Sequence, residues 1–317
     1  MAAGGVSLLE FEIFRQFAGR MRAAVTTRAG GASGGNYASL NMGFLSGDEP
    51  ERVIENRRRA LLAFLAGTRG GFTFQSAGRA GYPPPTGDYS IGAITATGYS
   101  ATHGGGTDPL SRWTGAKQVH GTEVFVAYAS HAGSGALSSV SGEPGGPLAE
   151  ADAICTDSRG LVLTIQVADC VPVVVFDEAN GAIGVAHCGW RGAAARVLDK
   201  LLETMGGEYG TLAKNVFAGI GPGICGGCME VGGEVASRFL GREYEGYRIV
   251  WNSPEGGREK YRLNLPGALH AQLTGSGVPH ANIETMVKCS VESPELLYSY
   301  RRDGAKCGRN ALFAMLC

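Results

Sequence analysis

Apolar residues in this chain are grouped into short runs of strand length, separated by glycine, proline, asparagine and aspartate. Residues 161–168 and 171–176 are such runs, rich in β-branched side chains, and 177–181, ending in Asn180-Gly181, carries the residues a hairpin loop demands. Residues 182–186 return as a strand, which brings His187 to within a residue or so of facing Cys170. Further strands are predicted over 23–27, 91–95, 123–127, 152–156, 215–220, 247–251 and 283–287, with a last apolar strand after Asn310. Helical spacing replaces this pattern in four places. Residues 48–65 start at a capping Asp48 and put Val53, Ile54, Leu61, Leu62 and Leu65 on one side. Residues 193–205 align Val197, Leu198, Leu201, Leu202 and Met205, and 231–239 and 265–274 complete the set. Strands and helices interleave, so the expectation is a mixed α and β domain, with no linker or repeat dividing it.

Composition adds three points. At 317 residues and 44% hydrophobic content the chain is long and apolar enough for a substantial core. Glycine is abundant, at 51 residues, and clusters in two loops: an insertion at about 67–115, with Pro83-Pro84-Pro85, Gly104-Gly105-Gly106 and a solvated His103, and a second loop at 130–147. Charge is balanced, 28 Lys plus Arg against 29 Asp plus Glu, and no basic run with interleaved aromatics occurs. A general nucleic-acid surface is therefore not expected, and small-molecule chemistry becomes the default. No apolar run approaches the ~18 residues of a membrane span, and the first residues lack the basic and apolar regions of a secretory signal. The expectation is a cytoplasmic protein with eight free thiols and no membrane partner; nothing in the sequence sets an oligomeric state.

The candidate chemistry lies where the predicted strands end. His120, Cys170 and His187 offer two imidazoles and a thiolate beside residues at which the chain can turn. Three protein ligands and an open position suit catalytic zinc, which brings the pKa of bound water to about 7. Asp169, next to the cysteine, is a candidate to orient a ligand imidazole or handle a proton. Each residue alone has a structural alternative, a core cysteine or a hydrogen-bonded histidine, and Cys170 can also be read as a nucleophile paired with histidine. Residues 28–43 form a flexible loop with Arg28 at its entrance and Asn41 near its exit, either a wrap for an anionic or polyhydroxylated ligand or an ordinary surface loop. Gly189-Trp190-Arg191-Gly192 is a strand-to-helix turn that suits a phosphate or carboxylate, or that needs its glycines only for packing. Cys225-Gly226-Gly227-Cys228 is a C-x-x-C without a second one, open to redox or structural zinc use.

The motifs TTRAGG, SLN, QVHG, ADA, ADCVPV, AHCGWRG, IGPGI, CMEVG, SYRRDG and CGR, in this order, resemble the YfiH/laccase-domain family over nearly the whole chain. The resemblance implies an α+β protein, a single-domain αββα sandwich of mixed sheets, with zinc on His120, Cys170 and His187 and copper as the alternative. It implies phosphorolysis of adenosine, inosine, guanosine and S-methyl-5'-thioadenosine, with adenosine deamination as a second activity; purine nucleosides and phosphate are then the partners. Cys170, Asp169 and Arg28 become candidates for catalysis, and Arg28, Asn41 and Arg191 for substrate binding. Arg301, Arg302 and Arg309 match family positions and are also open to a purely structural role. Family members have been called polyphenol oxidases or laccases as well, and some are linked to peptidoglycan editing. A multicopper oxidase holds its trinuclear cluster with His-x-His pairs, and this chain has six histidines and no such pair, so oxidation ranks second. A non-catalytic metal-binding protein is the third reading. The family tyrosine of CCYEVG is Met229 here, which removes an aromatic contact, and the insertion ahead of His120 is either a lid or a decoration.

Overall fold

The hairpin expected at Asn180-Gly181 forms. Val171–Asp177 pairs antiparallel with Ala182–Cys188, and Gly181 takes a left-handed conformation (φ 67°) that suits glycine. The register sets His187 opposite Pro172 and Cys188 opposite Val171, two positions away from a direct His187–Cys170 pair. Every residue of both strands is buried, which is why they read as continuous apolar runs rather than alternating ones. Val173, Val175, Ala182 and Ala186 face one core; Val174, Phe176, Ile183 and Val185 face another.

The computed structural model describes residues 5–66, 71–73, 90–94, 108–137, 149–253 and 259–317. The hairpin is the centre of a six-stranded mixed sheet, in the order Ile283–Thr285, Val216–Ile220, Val171–Asp177, Ala182–Cys188, Ala153–Thr156 and Val124–Val126. A seven-stranded sheet runs Gly71–Thr73, Ser90–Ile94, Val6–Glu10, Met21–Thr26, Asn310–Leu316, Val162–Val167 and Trp113–Gly115. Both combine antiparallel pairs with parallel ones. Leu9, Val25, Leu163, Ile165 and Leu312 from the larger sheet meet Val174, Phe176, Ile183 and Val185 from the smaller, so the two sheets stack face to face. Outside the smaller sheet lie the helices Val197–Tyr209 and Leu265–Gly275, and outside the larger lies Pro50–Ala66. The layers are therefore αββα, and the expected α+β sandwich of mixed sheets is observed.

The structure settles one arrangement the sequence left open and corrects three expectations. The runs 161–168 and 171–176 belong to different sheets. The chain crosses between them at Asp169, which adopts φ 85°, a conformation rarely open to a residue with a Cβ. The helix expected over 193–205 is broken: Trp190–Ala194 ends and Val197–Tyr209 begins across a left-handed Arg196 (φ 67°), whose guanidinium is held by Asp199 at 2.7 Å. Residues 231–239 begin with a strand, Glu230–Gly232, and continue only as a short helix, Gly233–Ala236, and a 3-10 turn. That strand joins Lys260–Leu263 and Val250–Asn252 in a third, three-stranded sheet, pairing across the sheet having overridden the helical spacing. The strand expected over 247–251 is accordingly Val250–Asn252. Of the expected insertion and the loop at 130–147, residues 67–70, 74–89, 95–107, including His103, and 138–147 lie outside the described residues. Residues 109–115 pack into the body, where Trp113 is buried against Phe313.

Close stacking of the layers gives a stability prediction. A Cβ on Gly219 would sit 2.6 Å from Phe11 Cδ1 and 3.0 Å from Phe14 Cε2. Gly219→Ala is expected to cost about 1–3 kcal/mol, as overpacked cores do, read as a lower denaturant midpoint at unchanged slope.

Candidate active site

His120, Cys170 and His187 come from three separate segments and meet at one end of the sandwich. Their ligand atoms all lie within 4.8 Å of one another, and Cys170 Sγ is 3.9 Å from His120 Nε2. A tetrahedral zinc with Zn–S of about 2.3 Å and Zn–N of about 2.0 Å separates such atoms by about 3.6 Å. The donor set, two imidazoles and a thiolate, thus fits a zinc-class ion in chemistry and nearly in spacing.

Each ligand is placed by a different device. His187 ends its strand and is buried, and its backbone N–H donates to the Asp152 carbonyl at 2.7 Å. Cys170 follows the left-handed Asp169 that carries the chain between sheets. His120 is itself left-handed (φ 61°) and sits on a loop fastened from both sides. Gln118 exchanges two 2.8 Å hydrogen bonds with the Gln166 backbone of the larger sheet. Asp152, at the edge of the smaller sheet, accepts the backbone N–H groups of Val119 (3.1 Å), His120 (3.0 Å) and Gly121 (2.6 Å).

The same Asp152 carboxylate accepts a 2.7 Å hydrogen bond from His187 Nδ1. Hydrogen bonds from His187 and from Gly121 and Val119 outweigh the burial that would raise Asp152, so its carboxyl lies below the ordinary range. An ionised carboxylate only accepts, so Nδ1 carries the proton and the Nε2 lone pair is left for a ligand role. Burial alone would raise the Cys170 thiol, but His187 and the hydrogen bonds from His120 and His187 bring it down to about 6. At His187 burial is opposed by Cys170 and Asp152, and the ring is raised to about 9, so a metal taking the Nε2 lone pair displaces a proton there while Nδ1 keeps its own. The site thus favours the thiolate, the form that binds metal. Neighbouring Cys188, fully buried and facing those negative charges, is raised well above its usual value and stays a neutral packing residue.

Gly189 closes the group. A Cβ there would lie 3.0 Å from His120 Cδ2 and 3.1 Å from Cys170 Sγ. Gly189→Ala is expected to displace both ligands by a few tenths of an ångström and lower metal affinity about ten-fold. Competition with a chromophoric chelator measures this, with little change expected in thermal midpoint.

The group opens into a cleft of about 660 Å³, within the range of small-molecule sites. Arg191, Arg301 and Arg309 line it, as do Trp190, Phe44 and Tyr300. Arg191 stacks on Trp190 at 4.5 Å. Arg57 reaches the wall from its helix, buried between Phe44 and Trp113, with its guanidinium donating to the carbonyls of Met42, Gly135 and Ala136. Burial lowers it to about 9.

Other expected site residues lie elsewhere or face away. Arg28 does not line the cleft: its guanidinium donates to the Ala38 and Pro294 carbonyls at 2.8 Å and stacks on Tyr298 at 4.7 Å, holding its own loop. Asn41 is fully buried and binds Gly43, Ser46, Asp48 and the Arg309 N–H. Asp169 reaches the cleft wall, but its carboxylate accepts from Ser290 Oγ (2.6 Å), Ser299 Oγ (2.7 Å) and the Arg301 N–H (2.6 Å). The imidazole-orienting carboxylate is Asp152. Its signal in the sequence was a carboxylate between alanines at the start of an apolar strand, a position that demands a partner. Arg302 binds the carbonyls of Ser290, Val291 and Leu297 and pairs with Asp303, whereas Met229, in place of the family tyrosine, lines the cleft.

Comparison with known proteins gives the relationship. A family model described as multi-copper polyphenol oxidoreductase laccase matches residues 22–74 and 101–317. A purine nucleoside phosphorylase of Deinococcus radiodurans is 33% identical over 290 residues, covering 90% of this chain and 85% of that protein. Adenosine deaminase RL5, from an unknown prokaryotic organism, is 37% identical over 158 residues, half of this chain and 59% of RL5. The crystal structure of Bacillus licheniformis YfiH superposes with a TM-score of 0.76 at 26% identity, covering 98% of this chain and 97% of that one. With the match spanning most of its length and the αββα architecture shared, the chain belongs to the multi-copper polyphenol oxidoreductase laccase family, the family of YfiH and YlmD.

Proposed function

We propose that this chain is a zinc-dependent purine nucleoside phosphorylase acting on adenosine, inosine, guanosine and S-methyl-5'-thioadenosine, with adenosine deamination as a second activity of the same cleft. The observation that carries the reading is the His120, Cys170 and His187 group opening into a cleft lined by Arg57, Arg191, Arg301 and Arg309. The relatives named as phosphorylases and as an adenosine deaminase support it. His120, Cys170 and His187 would hold a zinc ion, which would supply Lewis acidity and lower the pKa of a water for deamination.

The chain's own residues supply the rest. Arg191 offers its guanidinium for phosphate; Arg301 and Arg309 add positive charge to the cleft wall, with guanidinium groups also engaged by the Cys228 and Glu230 carbonyls and by Cys307 and Gly308, whereas Arg28 lies outside the cleft. The helix after Gly189 has only five residues, so the charge of Arg191 rather than a long helix dipole attracts the anion. Trp190, Phe44 and Tyr300 present flat apolar faces suited to a purine. Asp152 fixes the His187 tautomer, and Asp169 positions Cys170 and Arg301 relative to each other. The Gly/Pro/Ser-rich insertion is placed at about 67–115, and the family model leaves residues 75–100 of that interval unmatched.

Copper-dependent polyphenol oxidation is the second reading, favoured by the family's description and by a donor set that copper also accepts. Among the described residues, however, this is the one metal-capable group that contains histidine, and a single copper does not make a four-electron oxidase. The test is release of free base from adenosine and inosine with and without phosphate, alongside inosine formation from adenosine. Base is expected only with phosphate, accompanied by ribose 1-phosphate. Absence of both base release and deamination overturns the reading and moves oxidation forward. Reconstitution of stripped protein with zinc or copper then distinguishes the metals.

A further inference from the structure

A second cluster lies behind the wall of the cleft. Cys225, Cys228, Cys289 and Glu292 bring three sulfurs and a carboxylate oxygen to within 4.8 Å of one another. We propose that these four residues form a second metal site, which takes a thiophilic divalent cation of the zinc class and fastens the loop that walls the cleft.

Three features support this. The first is the ligand set. Three sulfurs with one oxygen suit a closed tetrahedral zinc site, in which sulfurs stand about 3.8 Å apart at a Zn–S distance of about 2.3 Å. The second is support for the ligands. The Cys225 N–H donates to Cys289 Sγ at 3.4 Å, and the Val291 and Glu292 N–H groups point at the same sulfur. Such donors stabilise a thiolate. Cys228 Sγ lies 3.6 Å from Glu292 Oε1. Gly226 and Gly227 form the turn between the first two cysteines, and a Cβ on Gly226 would strike the Trp251 ring at 2.6 Å.

The third is position. Residues 223 and 289 form a parallel bridge, and the Ser290 N–H donates to the Gly223 carbonyl at 3.0 Å. The cluster thus joins two loops 64 residues apart in sequence. The first loop carries Ile224 and Met229 into the cleft, and the Cys228 and Glu230 carbonyls receive the guanidinium of Arg301. Ile224 N–H also donates to the Asp169 carbonyl at 2.8 Å, next to Cys170. A metal here would hold the wall and Arg301 without touching the substrate, its binding displacing the thiol protons.

The experiment is metal content per chain of the full protein purified with a thiol reductant and without chelator. Two equivalents are expected in the wild type, one in Cys170→Ala, one in Cys228→Ser and none in the double variant. Cobalt(II) added to stripped Cys170→Ala is expected to give a thiolate charge-transfer band saturating at one equivalent. The band is expected to disappear in Cys170→Ala/Cys289→Ser and to persist with weaker binding in Cys170→Ala/Glu292→Gln. A wild type with one equivalent, lost in Cys170→Ala and unchanged in Cys228→Ser, overturns the proposal. So does a Cys225–Cys228 disulfide that survives the reductant. None of these readouts depends on nucleoside turnover, so the site stands or falls separately from the proposed activity.

Discussion

Cys170→Ala is expected to lower phosphorolysis of inosine on the order of 10³-fold while leaving the fold in place. The sulfur is the anionic donor of the group, 3.9 Å from His120 Nε2, and two neutral imidazoles alone bind zinc poorly at neutral pH. Losing several kcal/mol of charge stabilisation from the metal corresponds, at 1.36 kcal/mol per decade, to roughly three decades in rate. The fold is spared because Cys170 is a half-buried residue at the sandwich's edge, not among the central core side chains. Circular dichroism establishes that, and base release by matched folded concentrations gives the rate. Full activity in a folded Cys170→Ala protein removes the metal site from the mechanism.

Asp152→Ala has the other large expected effect, on stability and on the site together. Its carboxylate accepts four hydrogen bonds: three consecutive backbone N–H groups of the 119–121 loop and His187 Nδ1. Alanine leaves these donors without their acceptor: His187 Nδ1 is buried, where an unsatisfied group costs about 1–3 kcal/mol before relaxation, and the three loop N–H groups are part-buried. A loss of about 3–5 kcal/mol is expected, in the range for removing one partner of a buried charged pair. Metal affinity is expected to fall about 10–100-fold, the usual effect of losing a ligand's hydrogen-bonded carboxylate. Asp152→Asn separates the two effects. It keeps the volume but turns an amide N–H toward donors, so stability should recover in part while affinity remains low. Chemical denaturation and competitive metal titration read them independently; unchanged affinity in both variants sinks the orienting role.

Legibility in the sequence followed the range of the interaction. The hairpin was readable because Asn180-Gly181 and the apolar runs beside it are neighbours in the chain, and turn chemistry acts over two residues. The helix Pro50–Ala66 was readable for the same reason, its apolar side being repeated over five turns. Misreadings occurred where tertiary pairing outweighed local pattern: residues 230–232 became a strand because 260–263 lay alongside.

The amino-acid order by itself determined interleaved strands and helices and three metal-capable side chains, His120, Cys170 and His187, at strand ends, because strand period and turn chemistry are carried by residues close in sequence; the αββα layering and the joint ligand role came from the family resemblance. Only the tertiary structure decided what surrounds them. Asp152, not Asp169, meets the imidazole, since sheet stacking sets the 119–121 loop and His187 on either side of it. Arg28 and Asn41 turn into loop scaffolding, whereas Arg301 and Arg309 reach the cleft. Those choices include contacts between residues from 31 to more than 260 positions apart, set by left-handed turns at His120 and Asp169. No local periodicity records such distances.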